Sequence, residues 1–437
     1  MRYTGGMPNS RHTPSARLVI FDDGKGELSP LTDLRPAFDV RTGAMTTLER
    51  LKLYLAMIPA ALIVPGTLQE LARQRFSEPV NPPMDIAGPM LLVNGRCVLP
   101  PEGLARLAPG EMMIEAESGD LIAAHLAGSE MARVLGGDLS SGTRIDVPGS
   151  VLLSRSWHVR RFRDRAIAMD LRLLREAAGM SADPDSGESR ELFESSTERT
   201  GYDEVKDGPR VLGSEGVTIL RGARVYPGAI LDCEHGPIFI DRNAMVRPGA
   251  VLIGPCYVGV SSGVLERATI RPNTVIGPSC KVGGEVGGTI FQGFSNKAHD
   301  GYLGDSFVGE WVNLGAGTTG SNLLNTYGEI IARATAAGKN ERTGEQFLGS
   351  IIGDHVKTAI CTRLMTGSIL HTGGMFATTA PVVGTTRPFA WATDERTQSY
   401  RLDKFLEVAR AMMARRKVEP TDAYVARLAA LHAAAIA

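Results

Sequence analysis

The chain has 437 residues, 43% of them hydrophobic, which is enough for two or three domains with cores of their own. A formal net charge of -1 with 22% charged residues leaves no global basic field, so composition excludes a general binder of nucleic acid or of an anionic membrane surface. Glycine is abundant at 50 residues and aromatics are scarce at 6%, a balance that predicts tight turns and thin, regular layers of small side chains.

The first 15 residues lack the apolar core of a signal peptide and are expected to form a disordered tail. From residue 16 the patterning is α/β. The run "ARLVIFDD" (16–23) predicts a buried strand ending in carboxylates. Thr46-x-x-Glu49 predicts a capped helix, with leucines at 48, 51 and 55 on one stripe. Short apolar runs then alternate with polar segments as far as "RAIAMDLRLLREAAGM", where Ile167, Leu171 and Leu174 repeat at helical spacing. Residues 16–180 are therefore expected to form one α/β domain, and the acidic, serine-rich stretch 181–210 a linker.

Past the linker the period changes to six. Ile240, Val246, Leu252, Val258, Val264, Ile270, Ile276 and Val282 fall in one register, which predicts a parallel β-helix over 211–390 with these side chains inside. Two interruptions, at about 284–301 and at 322–350, read as places where loops leave the scaffold. Two helices are expected over 391–437. The five cysteines form no C-x-x-C pair, and no apolar run reaches the roughly 18 residues of a membrane span. A soluble cytoplasmic protein follows, with no structural metal.

The stretch "SNKAHDGYLGD" (295–305) sits in the first interruption, and Asn313-x-Gly-Ala-Gly-Thr318 and Asn322 follow it. These residues resemble the acetyltransferase half of the GlmU-type bifunctional sugar nucleotidyltransferase/acetyltransferase family, whose β-helices are left-handed. The resemblance implies His299 as general base, with Asn322 and Glu285 also catalytic. It implies Lys297, Tyr302 and Asn313 at the sugar phosphate or nucleotide sugar, and Ala316 and Gly317 at acetyl-CoA or another acyl-CoA. It also implies a homotrimer. An imidazole suits acyl transfer to an amine, because its ordinary pKa near 6.5 lets it take a proton at working pH. Backbone N–H groups at glycine-rich corners would meet the oxyanion. Departures exist: Gly287 stands where the family has a lysine, and Leu323 where it has a tyrosine.

In the first domain, "GKGELSPLTDLRP" (24–36) resembles the phosphate loop of sugar nucleotidyltransferases, which implies a Rossmann-like fold with Gly24, Lys25, Gly26 and Arg35 at a nucleotide. The Thr-Arg pair of that loop is missing, and the magnesium carboxylate would fall near Asn94-Gly95-Arg96, where there is none. A Mg2+ ion therefore has no recognisable ligand. The competing expectation for the whole chain is a non-catalytic trimeric scaffold that binds nucleotide sugar. A zinc hydratase would need His299, His355 and His371 at a ligand spacing that they lack.

Overall fold

Apolar strands and helices alternate through the first domain of this computed structural model, which describes residues 16–83, 88–140, 142–179, 208–214 and 216–436. The expected tail over 1–15 and nearly all of the expected linker lie outside these residues. Strands β1 (Arg17–Phe21), β2 (Ala61–Ile63), β3 (Pro89–Asn94), β4 (Glu111–Glu115), β5 (Leu121–Ala127) and β6 (Thr143–Val147) form one sheet in the order β2-β1-β3-β5-β4-β6. Only β5 runs against the rest. Strand β1 lies between β2 and β3, so the chain order reverses at its carboxyl end, the place where open α/β sheets leave a crevice for ligands. Helix α1 (Thr47–Leu55) starts at the predicted capping box, with Thr46 and Glu49 each bonding the other's backbone N–H. Helices α2 (Gln69–Arg75) and α3 (Met131–Leu135) are short, and the longer α4 (His158–Ala177) buries Val159, Phe162, Ala166, Ile167 and Leu171 on one face.

The second domain is a three-faced parallel β-helix. One face runs from Arg210–Leu212 to Tyr302–Gly304, a second from Val217–Ile219 to Ile369–Leu370, and a third from Arg224–Val225 to Asn296–Lys297. All eight residues of the predicted register are fully buried in its interior. Each buried Val or Ile there contributes about 1.5–3 kcal/mol of apolar transfer, repeated coil after coil. Cys256 and Cys280 share this interior, and burial pushes both thiols up to about 12.

The second face carries the first domain. Its outward side chains Phe239, Tyr257, Val275, Ile290, Phe307 and Ile351 belong to the same apolar cluster as Leu28, Leu31, Val40 and Phe162. The two domains thus share one core. The insertion is covered too: its strands Ile331–Ala332 and Glu341–Arg342 pair antiparallel, and Ile330, Ala334 and Leu348 join that cluster. The C-terminal helices Leu402–Ala414 and Asp422–Ile436 bury Phe405, Ala409 and Leu428 against Leu34, Phe389 and Tyr400.

The first interruption is a shortened coil and not a projecting loop. Val258 pairs with Ile276, Ile276 with Phe291 and Phe291 with Val308, so the coil length falls from 18 to 15 residues and then becomes 17. The six-residue count fails there while the strands continue.

Candidate functional site

His299 stands at the corner between the third face (Asn296–Lys297) and the first (Tyr302–Gly304) of its coil. It is exposed, and its ring has no hydrogen-bond partner among the described residues. Among the described residues no carboxylate bonds its ring. Directly above, the next coil places Ala316 and Gly317 at the same corner, with the Gly317 N–H donating to the Asp300 carbonyl at 3.1 Å. The coil above that brings Cys361, whose N–H donates to the Ala316 carbonyl at 2.7 Å. Cys361 is the exposed thiol among the five cysteines.

On the first face, the Asn322 Nδ2 donates to the Tyr302 Oη at 3.1 Å and to the Asp305 Oδ2 at 2.7 Å. Tyr302 is half-buried, and burial raises its phenol above the ordinary value, with Asp305 and Glu285 adding to the effect. Asn313 lies across the corner, exposed on the third face beside Asn296. Asn313, Ala316 and Gly317 therefore lie about the His299 corner, and the Tyr302 hydroxyl and Asn322 meet beside Gly304 at the other end of the first-face strand.

Two of the expected residues are placed otherwise. Glu285 sits one coil below Tyr302 and is ion-paired with Arg271, and no hydrogen bond or ion pair among the described residues joins it to His299. Lys297 pairs in register with the inward Val282, so its side chain enters the coil interior, 1% exposed. Its Nζ donates to the Gly283 carbonyl at 3.0 Å and to the His299 carbonyl at 2.8 Å, and burial lowers its pKa to about 8. Lys297 thus holds the histidine turn from beneath and offers no ammonium to a substrate outside.

At the carboxyl end of β1, Gly24 and Gly26 have left-handed backbone angles of 65° and 84°, and the Cβ of any other residue at 26 would lie 3.1 Å from Ser154 backbone. Lys25 pairs with Asp120 at 2.7 Å. The rest of the loop docks on the β-helix. Leu28, Leu31 and Leu34 are buried, and the Arg35 Nη2 lies 2.9 Å from the Asp354 Oδ1 and 3.2 Å from the Glu310 Oε2. Arg35 is fully enclosed by these partners and cannot reach a nucleotide. The expected role is corrected by a contact that the local sequence does not contain.

Residues 18–178 match the family model described as sugar nucleotidyl transferase. That match spans the first domain, which resembles the sugar nucleotidyl transferases, and stops before the β-helix. The chain is 33% identical over 134 residues to the bifunctional sugar-1-phosphate nucleotidylyltransferase/acetyltransferase of Sulfurisphaera tokodaii, covering 30% of this chain and 33% of that protein. It is 33% identical over 129 residues to the bifunctional protein GlmU of Rippkaea orientalis, covering 29% and 26%. The alignments thus span a third or less of these relatives. A hexapeptide transferase family protein from Anaplasma phagocytophilum overlaps 51% of this chain and 97% of its own at 14% identity, with a TM-score of 0.19 that carries no argument.

For a sugar nucleotidyl transferase, the end of β3 is the test of metal use. Here Arg96 occupies it, buried, with Nε 2.8 Å and Nη2 2.7 Å from the two oxygens of Asp23, and Nη2 2.6 Å from Asp120. The guanidinium holds the Asp23 carboxyl below its ordinary pKa against the cost of burial, and Lys25 together with Arg96 does the same for Asp120. Asn94 adds an amide, donating to Asp23 at 2.9 Å. A divalent cation does not fit this arrangement, because the carboxylates that would bind it already face a resident cation. A cleft of about 580 Å³ in the same domain is lined by Leu99, Glu102, Met113, Asp146, Arg165 and Met169 among others, and by none of Asp23, Arg96 and Asp120. With UTP, glucosamine 1-phosphate and Mg2+, the protein should release pyrophosphate slowly or not at all in a coupled phosphate assay. Robust magnesium-dependent release would contradict the assignment of Arg96.

No role was legible in the sequence for Arg96, which stands in Asn94-Gly95-Arg96, for Asp305, which ends the histidine motif, or for Arg160, Arg161 and Arg163.

Proposed function

We propose that the β-helix transfers an acyl group from acetyl-CoA, or another acyl-CoA, to the amine of an amino-sugar phosphate or nucleotide amino sugar. In this reading the amine nitrogen attacks the thioester carbonyl carbon, His299 takes the nitrogen's proton, the C–S bond breaks and the CoA thiolate leaves. The observation that carries the reading is the first face: an exposed imidazole at one end, with the small residues Ala316 and Gly317 stacked directly above it, and the Tyr302–Asn322–Asp305 polar cluster at the other end beside Gly304. The cluster offers polar groups to a sugar phosphate, and the small side chains leave room for a thioester arm. The names of the bifunctional relatives support the same chemistry. The first domain keeps a nucleotide-sugar-binding shape with its metal position filled by Arg96.

The test is thiol release from acetyl-CoA with and without glucosamine 1-phosphate. Release that depends on the amino sugar is expected, and its absence would favour the non-catalytic scaffold.

The assembly that accompanies this reading is a homotrimer. The second face is occupied by the chain's own first domain, so copies would meet through the first and third faces, which flank the His299 corner. Sedimentation equilibrium should give three chains at micromolar concentration, and a stable monomer would count against shared sites.

A further inference from the structure

Asp305 has a left-handed backbone (φ 45°) and uses both carboxylate oxygens. Its Oδ2 accepts from Asn322 at 2.7 Å, while its Oδ1 accepts from the Arg163 Nη1 at 2.6 Å. Arg163 lies on α4 of the first domain, is 4% exposed, and also donates to the Gly288 carbonyl. The Arg160 Nε, one residue row away on the same helix, lies 2.9 Å from the same Oδ1 as an ion pair. Glu345 of the insertion faces Arg160 and Arg161 at 3.8 and 3.7 Å, so three separate segments converge here.

We propose that helix α4 of the first domain completes the acceptor site of the β-helix, with Arg163 as a positioning residue that acts through Asp305 on Asn322 and Tyr302. This rests on the acyl-transfer reading above. The physical reason lies in the hydrogen-bond capacities. The Asn322 amide has one –NH2 group, and both its hydrogens are committed, one to Tyr302 and one to Asp305. That leaves its carbonyl and the Tyr302 hydroxyl proton turned to whatever binds there. The rotamers of both side chains then depend on where the Asp305 carboxylate stands. Without Arg163 the carboxylate would keep only the less well aligned Arg160 contact, and a partly buried anion would relax toward it or toward water. Arginine suits this place because Nη1 serves Gly288 and Asp305 while Nε donates to Asp164, two separated donors that a single ammonium cannot supply together. The two domains are accordingly one functional unit, and the shared core keeps α4 in register with the coil.

The test compares wild type with Arg163→Met and Arg163→Lys, using glucosamine 1-phosphate and acetyl-CoA as probes, with amide hydrogen exchange of residues 302–305 and 322–324 measured alongside. Arg163→Met should raise the KM for glucosamine 1-phosphate about 10–100-fold, leave the KM for acetyl-CoA within a factor of about two, and speed exchange in both segments. Arg163→Lys should recover part of the acceptor KM. A merely structural role would move both KM values together, or neither, and would overturn the proposal. Should Arg163→Met unfold the protein, Asp305→Asn keeps the volume and removes the charge, and the same split is expected of it. Unchanged exchange at 322–324 in a folded variant overturns the link itself. Absence of thiol release by wild type, with exchange still faster in the variant, overturns the acceptor assignment through the acyl-transfer reading and not through the link.

Discussion

Replacing His299 by alanine is expected to lower turnover by roughly 10²–10⁴-fold, the usual loss for a general base, while the melting temperature and acyl-CoA affinity stay nearly unchanged. The exposed ring makes no hydrogen bond among the described residues, so its removal opens no cavity and strands no partner. The turn that carries it is held from elsewhere, by the Lys297 ammonium on the His299 carbonyl and by the Gly317 N–H on Asp300. Backbone geometry at 299 thus survives the loss of the imidazole. Thermal unfolding and thiol release measured on the one variant separate the two roles. A lowered melting temperature with unchanged thiol release would make His299 a turn residue.

A second large effect is expected at Arg35, on stability and not on chemistry. Its guanidinium joins Asp354 and Glu310 of the β-helix, and Glu310 continues to Arg75 at 2.9 Å, which reaches Asp39 at 2.6 Å. Arg35→Ala would leave Asp354 and Glu310 buried with one cation fewer, at a cost of about 3–5 kcal/mol in urea unfolding. Arg35→Lys should recover only part, because an ammonium cannot reproduce the planar fork. A loss under about 1 kcal/mol would show that the shared apolar core alone holds the domains together.

The same network carries a pH signature. Burial pushes the Asp39 carboxyl up to about 6 even beside Arg75, from an ordinary 3.8. A raised folded-state pKa gives a contribution fully present below 3.8 that is lost as pH rises through about 6. Glu310 runs the other way. Despite its burial, Arg75 and Arg35 hold its carboxyl well below the usual range, so its contribution is present above 4.5 and fades only in stronger acid. Burial pushes Asp354 up to about 6 as well, so Asp39→Asn should remove only its own share of the fall in unfolding free energy between about pH 4 and pH 6 and leave the acid limb in place.

Periodicity made most of the fold legible. An inward side chain every sixth residue is a geometric demand of a three-faced coil, which is why Ile240 through Val282 could be placed inside before any coordinates were known. The count stopped working where a coil shortens to 15 residues, and there Lys297 went unrecognised as the inward residue facing Val282. The corner residues were legible through the motif around His299, since they lie within one or two coils of each other. Long-range pairings were not. The loop at 24–36 has the glycines of a phosphate loop, yet Leu28 and Leu31 bury it on the β-helix, Leu34 packs with the C-terminal helices, and Arg35 meets carboxylates more than two hundred residues away in sequence. Arg163 and Asp305 are likewise brought together only by the docking of one domain on the other. Local pattern fixes which face of an element is apolar, and it is silent about which distant charge will stand opposite.

The most direct measurement is mass spectrometry of the acceptor after incubation of the protein with acetyl-CoA and glucosamine 1-phosphate. The account predicts one acetyl group gained on the amine with wild type and almost none with His299→Ala at equal protein concentration. Recovery of unmodified amino sugar and intact acetyl-CoA from a folded wild-type protein, or equal acetylation by both proteins, would contradict it.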